Sequence, residues 1–212
     1  MLDSSLLTIA VFMGTLFISV SLHEMMHAYT ALKLGDDLAH SRGRISLNPL
    51  HHIDPVLTIA LPAAIIIGNE LLGMSLPLIL AAKPVPINTN RISGGELGLA
   101  AVGIAGPLTN LALASVAALG LNVFGMTGLS GEIVLLFIQL NIALFAFNML
   151  PIPPLDGSRV LYAVAPAPMQ RVMEQIERYG ITVIFLVLIF LGPIISPVLI
   201  TVNETLLGLL VR

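Results

Sequence analysis

His23-Glu24-Met25-Met26-His27 holds the residues best placed for chemistry in this chain. Histidines four apart fall on one helix face, about one turn from each other, so both imidazoles can reach one metal ion. The glutamate beside the first is placed to take a proton from a metal-bound water. His-Glu-x-x-His is a sequence signature of zinc hydrolases. Its setting here is apolar, because residues 6–22 carry no charge. The competing reading is a chance pair of satisfied histidines at a helix end. The cost of burying ionisable groups in hydrocarbon weighs against it.

A catalytic zinc takes three protein ligands and keeps an open position for water. The chain has no cysteine, which excludes disulfides, thiolate zinc sites and a Cys nucleophile. The third ligand must therefore be His, Asp or Glu. Asp3, Glu132 and Glu204 fall at the far ends of apolar segments, Glu174 and Glu177 read as a solvated face, and Asp36 and Asp37 read as a helix exit after Gly35. Asp156 lies in Asn148-Met149-Leu150-Pro151-Ile152-Pro153-Pro154-Leu155-Asp156-Gly157, directly after an apolar segment. Three prolines and a glycine break regular structure there. Irregular backbone at membrane depth is tolerated where it is buried in protein or lines a cavity. Taken alone, Asp156 reads more readily as a turn or cap residue.

The elements that must position these groups are membrane spans. The 212 residues are 57% hydrophobic and 10% charged, with a mean hydropathy of +0.99, against about 25% charged in soluble domains. Charge spacing predicts an all-α polytopic membrane protein with spans near 5–33, 56–82, 97–124, 133–150 and 181–211, each long enough to cross about 30 Å of hydrocarbon. The chain reads as one integral-membrane domain, 1–212, with a core at 5–160 and an accessory helical segment at 161–212. The N-terminus lacks the basic region of a cleaved signal peptide, so the first span is expected to be retained. No basic cluster suggests nucleic acid.

Basic residues constrain the topology. If every apolar segment crosses once, the loops at 34–55 and 83–96 fall on opposite sides. If 56–82 enters and returns, 34–55, 83–96 and 151–180 share one side with eight of the nine Lys and Arg, as the positive-inside rule favours. Pro62, Pro77 and the turn-forming Ile67-Gly68-Asn69-Glu70 fit an excursion; a single kinked span is the alternative. Only the excursion puts Asp156 at the same membrane face as His23 and His27.

With these motifs in view, the chain resembles the site-2 protease family of intramembrane zinc metalloproteases, in its short form without appended PDZ or CBS domains. The resemblance rests on an ordered set. After His23-Glu24-x-x-His27 come Gly43-Arg44-Ile45-Ser46-Leu47-Asn48-Pro49 with His52-Ile53-Asp54-Pro55, then Lys83-Pro84-Val85-Pro86-Ile87-Asn88. Ala105-Gly106-Pro107-Leu108-Thr109-Asn110 and Asn148-x-x-Pro151-x-Pro153-x-x-Asp156-Gly157 complete it. One departure is Ala81-Ala82, where many relatives have Trp-Ala. The resemblance implies a bundle of about five to six transmembrane helices, with a short re-entrant extended or β segment near the active site. It implies Zn2+ on His23, His27 and Asp156, and Glu24 as the catalytic acid/base. Asn148 would be an oxyanion donor, or else an interhelical hydrogen-bonding residue.

Two prolines at alternate positions make Lys83–Asn88 extended. By the resemblance, Lys83, Pro84, Val85 and Pro86 would hold an unwound substrate by strand addition; an ordinary interfacial loop is the alternative. Asn110 matches a position linked to substrate handling, with helix packing as the competing role. His51 and His52 read as interfacial surface residues, with positioning by His52 as a second possibility. The final segment, with Gly192-Pro193 and Pro197, reads as either one kinked helix or a hairpin. The implied partners are transmembrane substrates and the lipid bilayer, and the implied location is a prokaryotic plasma membrane with the site toward the cytoplasm. A membrane metal transporter or metal sensor would use the same ligands but gives Glu24 no obvious task.

Overall fold

The computed structural model describes residues 6–52 and 83–211, together with 54, 58, 60 and 67. Seven α-helices form among them. These are α1 (Leu6–Lys33), α2 (Leu38–Ser41), α3 (Gly95–Phe124), α4 (Gly128–Asn148), α5 (Gly157–Val164), α6 (Ala167–Glu177) and α7 (Ile181–Leu210). By length and composition, Gly95–Phe124, Gly128–Asn148 and Thr182–Leu210 can each cross a membrane. At 28 residues, α1 is a fourth long helix. The span expected at 56–82 lies almost wholly outside the described residues. No β-strand occurs among the described residues, so Lys83–Asn88 is an irregular stretch there and not a ladder strand.

Helix α3 is the centre of the bundle, contacting α1, α4, α5 and α7. Its small residues allow that approach. Ala114 and Ala118 are buried against Ile138 and Ile142 of α4. Gly103 lies so close to Asp156 and Arg159 that an added Cβ would fall 2.8 Å from Arg159 Cβ. Small residues at helix contacts let backbones close in where lipid offers no hydrophobic drive between helices.

The exit of α1 brings the chain back on itself. Gly35 has φ +102, and Asp36 N–H donates to the Ala31 carbonyl at 2.9 Å. This left-handed glycine cap satisfies an end carbonyl that the helix cannot. Ser93 N–H donates to the Leu34 carbonyl at 2.7 Å, and Ile92 packs with Ala31 and Val102. Leu34 and Ser93 thus lie at one level of the bundle.

The last apolar segment is one continuous helix, α7, which runs through Pro193 and Pro197 without reversing. Near its end Leu206, Leu207 and Leu210 pack on the α3–α4 core. Phe190 and Ile194, earlier in the helix, are 73% and 68% exposed. Two short amphipathic helices precede it. Arg159 of α5 pairs with Glu177 of α6, and Tyr162 Oη donates to Glu174 Oε1 at 2.6 Å. Glu174 and Glu177 therefore join α5 to α6 as well as facing solvent.

Candidate metal centre

Three side chains from distant parts of the chain converge at the meeting of α1, α3 and α5. His23 and His27 lie one turn apart on α1 and are both buried. Asp156 stands at the N-terminus of α5, and its side chain caps no helix N–H. Instead its Oδ2 lies 3.1 Å from His23 Nε2 and 3.3 Å from His27 Nε2. The two Nε2 atoms are 3.0 Å apart. The turn that delivers Asp156 is tight, since a Cβ on Gly157 would fall 2.3 Å from the Met149 carbonyl oxygen.

The other ring nitrogens decide what these atoms can do. His27 Nδ1 lies 2.7 Å from the Val102 carbonyl, which only accepts, so Nδ1 carries the proton. His23 Nδ1 lies 2.6 Å from Asn110 Oδ1. The Asn110 amide is oriented by its Nδ2, which donates to Asn141 Oδ1 at 2.9 Å. In its neutral form each imidazole then turns an Nε2 lone pair inward, toward the other ring and toward a carboxylate. Three acceptors at such separations repel unless a cation lies between them. Metal bonds of about 2.0–2.1 Å in a tetrahedral site put neighbouring donors about 3.3 Å apart, which matches this spacing. The group His23, His27 and Asp156 can thus hold a metal ion, and its N2O donor set suits zinc.

Behind His23 runs a buried polar chain. Asn141 of α4 donates from Nδ2 to Ser19 Oγ at 2.9 Å, so Ser19, Asn141 and Asn110 link α1, α4 and α3 to the ligand. All three are fully buried. Metal-bound histidines characteristically donate their second ring N–H to such a partner, which holds the ring in place. The structure therefore places Asn110 Oδ1 against a histidine ring. Asn141, Ser19 and the Val102 carbonyl were not legible as site residues. Asn141 carried one signal, a lone amide in an apolar helix. Val102 acts through its backbone and left none.

Glu24 is half-buried on the same turn of α1 as His23. Its carboxylate acts on Arg44, whose guanidinium is pushed down from its ordinary range by burial and drawn back up by Glu24. Asn148 lies on the last turn of α4, where its Nδ2 donates to the Leu144 carbonyl one turn back at 3.0 Å. One of its two amide hydrogens is thus engaged within its own helix. Lys83, Pro84, Val85 and Pro86 lie beyond the end of α1, with Lys83 and Pro84 exposed and Val85 and Pro86 half-buried. His52 is buried, with Nε2 2.8 Å from the Ser46 carbonyl, so it is not a surface residue. His51 is exposed, with Nδ1 2.9 Å from the Gly43 carbonyl.

The profile of peptidase family M50 matches residues 125–192. Over 195 residues the chain is 40% identical to "Putative zinc metalloprotease YwhC" of Bacillus subtilis, covering 87% of this chain and 82% of that protein. The chain belongs to peptidase family M50. It is also 34% identical over 180 residues to "Putative zinc metalloprotease Rip2" of Mycolicibacterium smegmatis and 31% identical over 183 residues to Rip2 of Mycobacterium tuberculosis strain H37Rv. These alignments cover 81% and 84% of this chain but 63% and 66% of the mycobacterial proteins. No solved structure matches the chain. Membership of M50, the site-2 protease family, together with three apolar helices, makes this an integral membrane protein of the metalloprotease type.

Proposed function

We propose that this protein is an intramembrane zinc metalloendopeptidase that hydrolyses peptide bonds within or near transmembrane segments of other membrane proteins. The observation that carries the reading is the convergence of His23 Nε2, His27 Nε2 and Asp156 Oδ2 within 3.0–3.3 Å, with Glu24 beside the first ligand. The whole chain, 1–212, acts as one catalytic domain. Zinc held by these three ligands would supply a Lewis acid that makes a water nucleophilic near neutral pH.

The chain's own residues do the rest. Glu24 takes the proton from the attacking water and passes it to the leaving amine. Val102 and Asn110 hold the two rings by their Nδ1 protons, and Asn141 holds Asn110. Asn148 serves as the oxyanion donor through the amide hydrogen that the Leu144 carbonyl does not take, a donation worth about 10²–10³ in rate. The neighbouring apolar helices exclude bulk water, so the group is screened little.

Substrate is held by the Lys83–Asn88 segment. Pro84 and Pro86 push the residues before them toward extended backbone and lack N–H groups themselves. In extended chain, alternate residues face the same way. Val85 and Ile87 then present their N–H and C=O groups along one edge. Among the described residues these groups have no hydrogen-bond partner. A helical peptide bond is shielded and must unwind before attack, and pairing with this edge would stabilise the unwound chain.

Sidedness follows the basic residues. The Leu34–Ser93 bond and the meeting of Asp156 with α1 support one shared level for the loops that carry them, and we place that level at the cytoplasmic face of a plasma membrane. A metal transporter is less well supported, because the buried polar groups near the ligands pair with one another. The test compares membrane vesicles holding wild type with vesicles holding Glu24→Gln. Transmembrane fragments should accumulate only with wild type, while both proteins retain one zinc. Proteolysis by the Gln variant would remove the mechanism.

A further inference from the structure

The Lys83–Asn88 segment is gripped at both ends by buried charged side chains. At its start, Arg44 donates from Nη2 to the Pro84 carbonyl at 3.1 Å and also donates to the carbonyls of Lys83 and His51. Lys83 N–H donates in turn to the His52 carbonyl at 2.9 Å. At its end, Asn88 N–H donates to Asp36 Oδ2 at 2.6 Å, while the other carboxylate oxygen accepts from Leu38 N–H at 3.0 Å. Asp36 is fully buried and Arg44 is 5% exposed. Burying a charged group is costly, and here each one is engaged with backbone. Between the grips lie Val85 and Ile87, the residues of the open edge.

We propose that Asp36 and Arg44 are positioning residues, forming a two-point backbone clamp that stretches Lys83–Asn88 and aims its Val85–Ile87 edge at the substrate. The clamp rests on the strand-addition reading above. Arg44 suits its end because a planar fork can take several carbonyls in fixed directions, which a lysine ammonium cannot. Asp36 suits the other because a carboxylate accepts on both oxygens without offering a donor. Neither residue touches the reacting atoms. Their effect passes through the segment they hold, so they govern substrate capture and not the chemical step.

The test uses the full chain in vesicles, with the membrane protein whose fragments distinguish wild type from Glu24→Gln as probe. Because the chain has no cysteine, Val85→Cys in the Glu24→Gln background reports contact by cross-linking to a cysteine in that substrate. Arg44→Lys and Asp36→Asn keep side-chain size near native. Each should raise KM by about tenfold or more, the loss expected for a charge-assisted hydrogen bond. Each should also weaken the cross-link, with kcat and zinc content unchanged. An unchanged KM, or a fall in kcat together with loss of zinc, overturns the clamp. So does a cross-link that stays equally strong when Arg44→Lys is added. A missing cross-link in the protein that retains both Asp36 and Arg44 removes strand addition itself, and the clamp with it, while leaving the zinc chemistry standing.

Discussion

Gly106 of α3 faces His27 so closely that a Cβ at position 106 would fall 2.3 Å from Nε2, and 2.6 Å from His23 Nε2. The crossing helix can pass the ligands only because this residue has no side chain. Gly106→Ala should therefore force the two imidazoles apart. We expect zinc content to fall below one per chain while the helical content by circular dichroism stays unchanged. Full zinc occupancy in the Ala variant would show that α3 can retreat.

Asn110 links the ligand shell to the polar chain through α4. Asn110→Ala leaves His23 Nδ1 without its acceptor and Asn141 without its donor. Loss of such a partner typically lowers metal affinity about 10- to 100-fold. Competition with a zinc chelator measures this directly. Asn110→Asp keeps an acceptor for His23 and should retain more affinity than Ala. A substrate-binding role would instead change KM and leave the zinc affinity alone.

Val85→Pro removes an N–H from the open edge in a segment already shaped by two prolines. Cleavage of a transmembrane substrate should fall at least about tenfold, the value of one or more backbone hydrogen bonds lost in a dry site. Zinc content should not change. Equal cleavage by the Pro variant would mean that the edge does not pair with substrate.

The hydrogen bond between Ser93 and Leu34 predicts a topology. Reporter tags placed at residues 37 and 90 should be accessible from the same side of the membrane, the side that also reaches position 171. Opposite accessibility would mean that 35–92 makes a net crossing, and would overturn the shared level.

Much of the site was legible because it consists of charged residues in an apolar chain. His23, His27 and Asp156 stood out by their setting, and the structure brings them within 3.3 Å of one another. The helices at 97–124 and 181–211 were legible from the absence of charge, and the structure places α3 and α7 there within two residues. Asp36 illustrates the limit. Its position after Gly35 does mark the end of α1, yet its buried carboxylate holds Asn88, 52 residues away. A contact between two loops has no periodicity to announce it. The choice between helix and hairpin for 181–210 also lay beyond the sequence. Two prolines can bend a helix or end it, and packing of Leu206, Leu207 and Leu210 against α3 and α4 anchors the continuous form. Asn148 was legible as a polar residue at a helix end, but not that Leu144 would take one of its amide hydrogens.

His23 and Asp156 are 133 residues apart in sequence and meet side chain to side chain. Between them lie α3 and α4, two of the long apolar helices. A chain that emerges from the ribosome N-terminus first carries His23, Glu24 and His27 into the membrane well before Asp156 exists. During that interval only two of the three ligands are present, and a two-ligand site holds metal weakly. The three-ligand group can therefore assemble only after the chain has been made through Asp156 and α5 has met α1.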